Sequence, residues 1–130
     1  TATTVIYTLS LHDALPIYWI RNSEHRVKLI IDAIGNKDLD IVGELAQIDC
    51  LEMHETMRTS NPSINYWIDK TVKIIELVNR LRTGGVQCYF TIDAGPNVKI
   101  LTLKKYQDKI LTELKNIEDI QTIVSGVAGD

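Results

Sequence analysis

Several signatures of common protein classes are absent from this sequence of 130 residues. Its two cysteines show no Cys-x-x-Cys spacing, which argues against a disulfide scaffold or a cysteine-based zinc site. No hydrophobic run approaches the roughly 20 residues that a membrane-spanning helix requires. The three histidines lack metal-ligand spacing, and neither G-x-x-x-x-G-K-[ST] nor G-x-G-x-x-G occurs. The sequence therefore indicates no metal centre, no membrane segment and no phosphate-binding loop of its own.

The composition that remains is typical of one globular domain. Hydrophobic residues make up 45% of the chain and charged residues 24%, which suffices for a core at this length. A net charge of −3 gives no reason to expect nucleic acid or an anionic membrane as a partner. Cys50 and Cys88 lie in apolar patterns without a secretory signal, which predicts buried, reduced thiols and a cytoplasmic location.

The first 17 residues differ from the rest of the chain because they show no periodicity. They include the string TLSLHDALPI, which resembles translated sequencing-adaptor remnants. This resemblance predicts a non-native segment at residues 1–17, in which His12 and Asp13 carry no function. The alternative is a genuine short strand and turn. Under the first interpretation, the native domain occupies residues 18–130.

From residue 18 onwards, the hydrophobic pattern predicts the order α-α-α-β-β-α-β. The first helix ends at Gly35, and the third begins with Ser63 as its N-cap and stops at Gly84-Gly85. Residues 86–93 alternate with a period of two and form a hairpin with the following NVKILTL. A last helix and a short strand at residues 120–129 complete the domain. The prediction is an α+β, ferredoxin-like domain with a small antiparallel sheet and helices packed on one face.

The second predicted helix carries one apolar stripe, which fits a helix half buried against a sheet. The stripe consists of Val42, Ala46, Cys50, Met53 and Met57.

Asp93 is the strongest candidate for chemistry. It shares the less apolar face of its strand with Tyr89 and Thr91, so its carboxylate should point away from the core at the strand end. The Ala-Gly-Pro-Asn turn that follows is rigid, because Pro96 fixes its own φ, while Gly95 permits a positive φ. A fixed carboxylate suits a general base. On composition alone, however, an aspartate that merely starts a turn is the more common explanation.

The remaining candidates are weaker. His54 could shuttle protons, but it has no carboxylate four residues away, so a surface or packing role is favoured. Arg58 could bind phosphate and Lys99 an anion, although solvated surface positions explain both. Three polar residues of the loop between the second and third predicted helices could cradle an anion, yet they also suffice as loop and cap residues: Ser60, Asn61 and Ser63.

Two stretches together resemble a known family. They are MHETMRTSNPSINYW (residues 53–67) and IIELVNRLRTGGVQCYFTIDAGPNVKIL (residues 74–101). They combine a Met-His helix end, a Thr-x-x-Pro loop and the run Tyr-Phe-Thr-x-Asp-Ala-Gly-Pro-Asn-Val-Lys in one order. From about Tyr18 onwards, the chain resembles the C-terminal domain of diphosphomevalonate decarboxylases, in the galactose, homoserine, mevalonate and phosphomevalonate kinase superfamily. The similarity is densest at residues 88–101.

The resemblance implies decarboxylation of diphosphomevalonate to isopentenyl diphosphate, dependent on ATP and Mg²⁺, by a homodimer. In the family pattern, the aspartate of Asp-Ala-Gly-Pro approaches the 3-hydroxyl as a general base or orienting partner. This implies a catalytic role for Asp93 and a substrate-lining position for Ala94. The family's phosphate loop, its substrate-gripping arginine and lysine and its nucleotide pocket belong to an N-terminal half that does not map onto this chain. The chain is therefore expected to be inactive alone.

Two alternatives remain open at this stage. Relatives in the superfamily act on mevalonate or phosphomevalonate, as decarboxylases or as kinases that stop at the 3-phosphate. An alternative of another class is a non-catalytic ferredoxin-like module that binds a small ligand or a partner through its sheet.

Overall fold

The computed structural model describes residues 15–128, in which four α-helices pack around a two-stranded antiparallel sheet. The α+β class predicted from the sequence is confirmed. Residues 1–14, which make up most of the predicted non-native segment, lie outside the described range. The elements are α1 (Leu15–Gly35), α2 (Leu39–Arg58), α3 (Asp69–Thr83), β1 (Cys88–Ile92), β2 (Val98–Thr102), a 3₁₀ turn (Lys104–Tyr106) and α4 (Gln107–Lys115). Within this range, none of the helices combines the length and apolar character that crossing a bilayer demands.

Helices α1 and α2 form an antiparallel hairpin. Helix α1 ends at Gly35, as predicted, and Asp38 caps α2 by accepting a hydrogen bond from the Ile41 N–H at 3.1 Å. The buried guanidinium of Arg26 in α1 pairs with two carboxylates of α2, those of Glu52 and, at 3.4 Å, Asp49. These contacts tie the two helices together through charge as well as apolar packing.

The start of α3 differs from the prediction, because the helix begins at Asp69 and Ser63 is not its N-cap. Residues 63–68 follow an irregular path that brings the half-buried Trp67 against the core. The Thr71 hydroxyl accepts the N–H of Ile68, the residue before the helix, at 3.3 Å, and the Ile68 side chain makes no capping hydrogen bond to the first turn. Tertiary packing of the Trp67 side chain thus outweighs the local capping signal.

One face of the hairpin lies in the hydrophobic core. Strands β1 and β2 pair in antiparallel register, with Tyr89 opposite Leu101 and Thr91 opposite Lys99. The alternating residues of β1 pack against α3 and α4, as the period of two predicted, and each fully buried apolar side chain contributes roughly 1.5–3 kcal/mol. The core consists of Cys50, Leu77, Val78, Leu81, Val86, Cys88, Phe90, Ile92, Ile110 and Leu114.

The opposite face of β1 contacts α2 closely. A Cβ atom at Gly43 would lie 2.1 Å from the ring of Tyr89, so this helix position requires glycine. The Tyr89 hydroxyl donates a hydrogen bond to the Asp40 carboxylate at 2.6 Å, and the Arg82 guanidinium lies 4.4 Å from the centre of the same ring. Burial, together with the bond to Asp40, raises the pKa of Tyr89 to about 12.

No strand forms in the described part of the predicted C-terminal strand, residues 120–128. A strand needs a neighbouring edge with free backbone N–H and C=O groups, and the outer edge of β1 is already bonded to side chains of α2. Ile120 and Ile123 instead pack their side chains against the core.

Candidate active site

Asp93 occupies the position that the alternation predicts. It follows the last residue of β1, its side chain is 74% exposed, and it forms an ion pair with Lys99 of β2. Ala94, the next residue, is also exposed. Lys99 faces away from its apolar neighbours, as expected, but contacts this carboxylate rather than lying free in solvent. A carboxylate at this place can accept a hydrogen bond from a substrate hydroxyl and take up its proton.

The turn after Asp93, residues 93–97, is held on both sides by buried side chains. Gly95 adopts φ +141°, a conformation that disfavours residues with a side chain. The Thr71 hydroxyl, in a residue that is only 1% exposed, donates to the Pro96 carbonyl at 2.8 Å. On the other side, the Nε2 atom of His54 donates to the Ile92 carbonyl at 2.9 Å. The position of Asp93 is therefore set by contacts with two helices.

An apolar groove of about 270 Å³ lies on the sheet face that carries Asp93. Its walls combine α2 with both strands, so the groove runs beside the Asp93–Lys99 pair. The lining residues are Gly43, Ala46, Tyr89, Phe90, Thr91, Lys99, Ile100 and Leu101. Such a surface can hold the hydrocarbon part of a small substrate while a charged group at its edge orients a polar one.

Of the weaker sequence candidates, Lys99 joins Asp93, whereas Arg58 and the loop serines do not. Arg58 is exposed and pairs with Glu55 at 3.0 Å, as a surface arginine would. The hydroxyls of Ser60 and Ser63 donate to backbone carbonyls at the C-terminal end of α2, those of Met57 at 2.6 Å and Arg58 at 2.5 Å. His54 is buried and its Nε2 atom bonds the Ile92 carbonyl, so its side chain does not lie on the helix surface.

The described residues, 15–128, offer no cluster of metal-ligand side chains, since no group of three or more His, Cys, Asp and Glu side chains among them is arranged to hold a metal ion. The groove beside Asp93 is mainly apolar and has Lys99 as its cation. Cys50 and Cys88 are free and buried, as predicted, and burial raises the pKa of both thiols, which keeps them protonated.

Sequence reasoning missed three side chains that support the site. The buried face of α2 includes Gln47 and His54, whereas the apolar stripe placed Met53 and Met57 there. The apolar pattern of α3 includes Thr71 but gives no sign of its polar contact. A useful signal was available, since Gln47, Cys50 and His54 are three and four residues apart and share one helix face.

The described residues form an α+β domain in which the Asp93 carboxylate lies at the end of a strand beside an apolar groove. The chain belongs to the family described as mevalonate 5-diphosphate decarboxylase C-terminal domain, whose model matches residues 17–128. The matched range begins at the third residue of α1 and includes every later helix and strand.

Individual relatives agree with this assignment. The phosphomevalonate decarboxylase of Haloferax volcanii is 31% identical over 99 residues, which are 75% of this chain and 30% of that protein. The mevalonate diphosphate decarboxylase from Enterococcus faecalis, whose structure concerns ATP binding mediated by mevalonate diphosphate, superimposes with a TM-score of 0.76 at 34% identity. That alignment covers 82% of this chain and 33% of the other.

A further solved structure, MDDEF in complex with MVAPP, AMPPCP and magnesium, superimposes with a TM-score of 0.77 at 34% identity. This alignment also covers 82% of this chain and 33% of the other. The chain thus spans about a third of the length of the proteins that it matches.

Proposed function

We propose that this chain is the C-terminal domain of an ATP-dependent decarboxylase that converts diphosphomevalonate to isopentenyl diphosphate in the mevalonate pathway of isoprenoid biosynthesis. The observation that carries the proposal is the exposed Asp93 carboxylate, held at the edge of a groove, in a chain of the decarboxylase family. Residues 18–130 form this domain, and the segment before them is non-native. The phosphate-binding and nucleotide-binding residues belong to an N-terminal half.

In this proposal, Asp93 accepts a hydrogen bond from the tertiary 3-hydroxyl of the substrate and takes up its proton. Tertiary alcohols are poor nucleophiles, so orientation and proton removal by a fixed group both lower the barrier. Ala94 lines the substrate beside this carboxylate. ATP is a co-substrate and Mg²⁺ its counter-ion, both held by residues outside this chain; the enzyme is a cytoplasmic homodimer.

The test compares Asp93→Asn with Asp119→Asn in the full-length protein that carries this domain. Asp119 is a matched control, because it is also an exposed aspartate beside a lysine, Lys70 at 3.9 Å. We expect Asp93→Asn to abolish ATP-dependent CO₂ release from diphosphomevalonate and Asp119→Asn to leave it unchanged. Retained turnover in Asp93→Asn with an unaltered fold would favour the non-catalytic ferredoxin-like module.

The substrate is decided by assaying mevalonate, phosphomevalonate and diphosphomevalonate in parallel. A decarboxylase releases CO₂ and ADP in equal amounts, whereas a mevalonate 3-kinase releases ADP alone. The similarity to a phosphomevalonate decarboxylase makes the monophosphate the second candidate substrate. The 130-residue chain by itself is expected to show no ATP-dependent decarboxylation, and measurable activity of the purified chain would contradict the proposed division of the site.

A further inference from the structure

The outer edge of β1 is bonded to side chains rather than to another strand. Phe90 donates its backbone N–H to the Gln47 side-chain oxygen at 3.3 Å, and Ile92 donates its own to the Cys50 sulfur at 3.2 Å. These two N–H groups point away from β2. In an antiparallel pair the backbone groups of alternate residues point to opposite sides of the strand, so those of Tyr89 and Thr91 point towards β2. Helix α2 therefore takes the place of a neighbouring strand along this edge.

His54 completes this edge at the point where the catalytic turn begins. Its Nε2 atom lies 2.9 Å from the carbonyl oxygen of Ile92, the peptide group that directly precedes Asp93. A carbonyl can only accept a hydrogen bond, so Nε2 carries the hydrogen. Without this donor, the Ile92 carbonyl would keep only the weak thiol contact from Cys50 at 3.5 Å.

The orientation of the His54 ring is fixed by its surroundings. The residue is 8% exposed and lies between two aromatic rings, Trp67 at 5.4 Å and Tyr66 at 6.3 Å between ring centres. Tyr66 stands nearly perpendicular to the imidazole, at 87°. A ring packed in this way cannot follow the carbonyl if the turn shifts, so it acts as a rigid support.

We infer that His54 is a positioning residue for Asp93: its bond to the Ile92 carbonyl sets the direction in which β1 delivers the carboxylate. This inference rests on the proposed role of Asp93. Asp93 is exposed and, among the described residues, its carboxylate pairs with the Lys99 side chain alone, so its place depends on its backbone. A displacement of about 1 Å at a reacting group can lower a rate by about 100-fold.

The test uses a pair of amide variants in the full-length protein. His54→Gln places an amide N–H at about the distance of Nε2 from the backbone, whereas the shorter His54→Asn corresponds to Nδ1 and does not reach the Ile92 carbonyl. For each folded molecule, we expect His54→Asn to lower kcat by about 10- to 100-fold with KM for ATP unchanged, and His54→Gln to recover most of it. His25→Asn, at an exposed site of α1, is the control and should match the wild type.

A second readout does not depend on activity. Backbone amide exchange in residues 93–97 is expected to accelerate in His54→Asn and to stay near the wild type in His54→Gln. Equal kcat and equal exchange in the two variants would overturn the inference. If His54 served only in packing, it would not matter whether the substituted amide reaches the Ile92 carbonyl. If Asp93→Asn retains full turnover, the proposed function fails, and the exchange comparison alone then decides whether His54 positions the turn.

Discussion

Gly95 shows how a single residue determines the path of the turn after Asp93. At φ +141°, its backbone adopts a conformation that a side chain would strain, although an added Cβ atom would meet no neighbouring atom within 4 Å. Gly95→Ala is therefore expected to lower the free energy of unfolding by about 1 kcal/mol or more, through backbone strain alone. Urea unfolding of the 130-residue chain measures this change.

Gly126→Ala is the matched control for this substitution. Gly126 also has open space around it, but its φ lies outside the range that disfavours side chains. We expect its unfolding free energy to remain within about 0.5 kcal/mol of the wild type. Equal values for the two variants would show that the turn relaxes without cost.

Tyr89 should make the stability of the domain depend on alkaline pH. Its pKa is raised to about 12 in the folded chain by burial and by the bond to Asp40, whereas an unfolded tyrosine titrates near 10. The folded state thus favours the neutral phenol. This contribution is complete below about pH 10 and is lost as pH rises from about 10 to 12, by at most about 1.4 kcal/mol per pH unit.

The comparison of Tyr89→Phe with Tyr66→Phe isolates this effect from other groups that titrate at high pH. We expect Tyr89→Phe to flatten the fall of the unfolding free energy between about pH 10 and 12, because the titrating hydroxyl is gone. Tyr66→Phe, which removes a phenol hydroxyl from another position in the chain, is the control for the substitution itself. A Tyr89→Phe curve parallel to the wild type would contradict the assignment.

The position of an individual site residue was predictable where strand periodicity determines which way its side chain points. Alternation alone placed Asp93 at the strand end and away from the core, because successive side chains point to opposite faces. It could not reveal the support from His54 and Thr71. Those residues lie 39 and 22 positions earlier in the chain (93 − 54 and 93 − 71), and no local pattern encodes which backbone carbonyl they will meet.

At the scale of elements, Arg26 is expected to account for much of the attachment of α1 to α2. Its guanidinium is buried and pairs with Glu52 and Asp49, so Arg26→Met should leave partly buried carboxylates without a partner. We expect a loss of about 2–4 kcal/mol in the free energy of unfolding, measured by urea denaturation. Arg80→Met is the control, since the exposed Arg80–Glu113 pair should contribute under about 1 kcal/mol.

The double variant Arg26→Met/Glu52→Leu tests the cause of this loss. If the cost comes from the unpaired Glu52 carboxylate, the second substitution should restore most of the stability. A double variant as unstable as the sum of the single variants would indicate that packing volume, not charge pairing, is responsible.

Element boundaries were predictable where a local signal determined them. Glycine ended α1 and α3 as expected, because it caps a helix without steric penalty. Ser63 failed as a start signal because burying part of the large Trp67 side chain fixes residues 63–68 in a non-helical path. The strand expected at residues 120–129 is absent from its described part, residues 120–128, for a related reason, since its formation depends on a partner edge elsewhere.

At the scale of the whole molecule, the core lies between β1, α3 and α4, and α1 lies outside it. Among the described side chains of α1, only those of Arg26 and Ala33 are buried, while Ile20, Val27, Ile31 and Ile34 remain exposed. We therefore expect α1 amides to exchange hydrogen through a partial opening, faster than amides of β1 and α3. Native-state hydrogen exchange measures this order, and equal protection in α1 and β1 would mean that all helices unfold together.

The sequence by itself determined the α+β class, the amphipathic helices, the hairpin and the exposure of Asp93, because these depend on periodicity and turn chemistry within short segments. Only the tertiary structure decided what surrounds that carboxylate. The bond from His54 to the Ile92 carbonyl and the bond from Thr71 to the Pro96 carbonyl form when distant segments pack, whereas the ion pair with Lys99 forms within the hairpin. Packing specifies these two bonds because buried polar groups must find partners in three dimensions, wherever those partners lie in the chain.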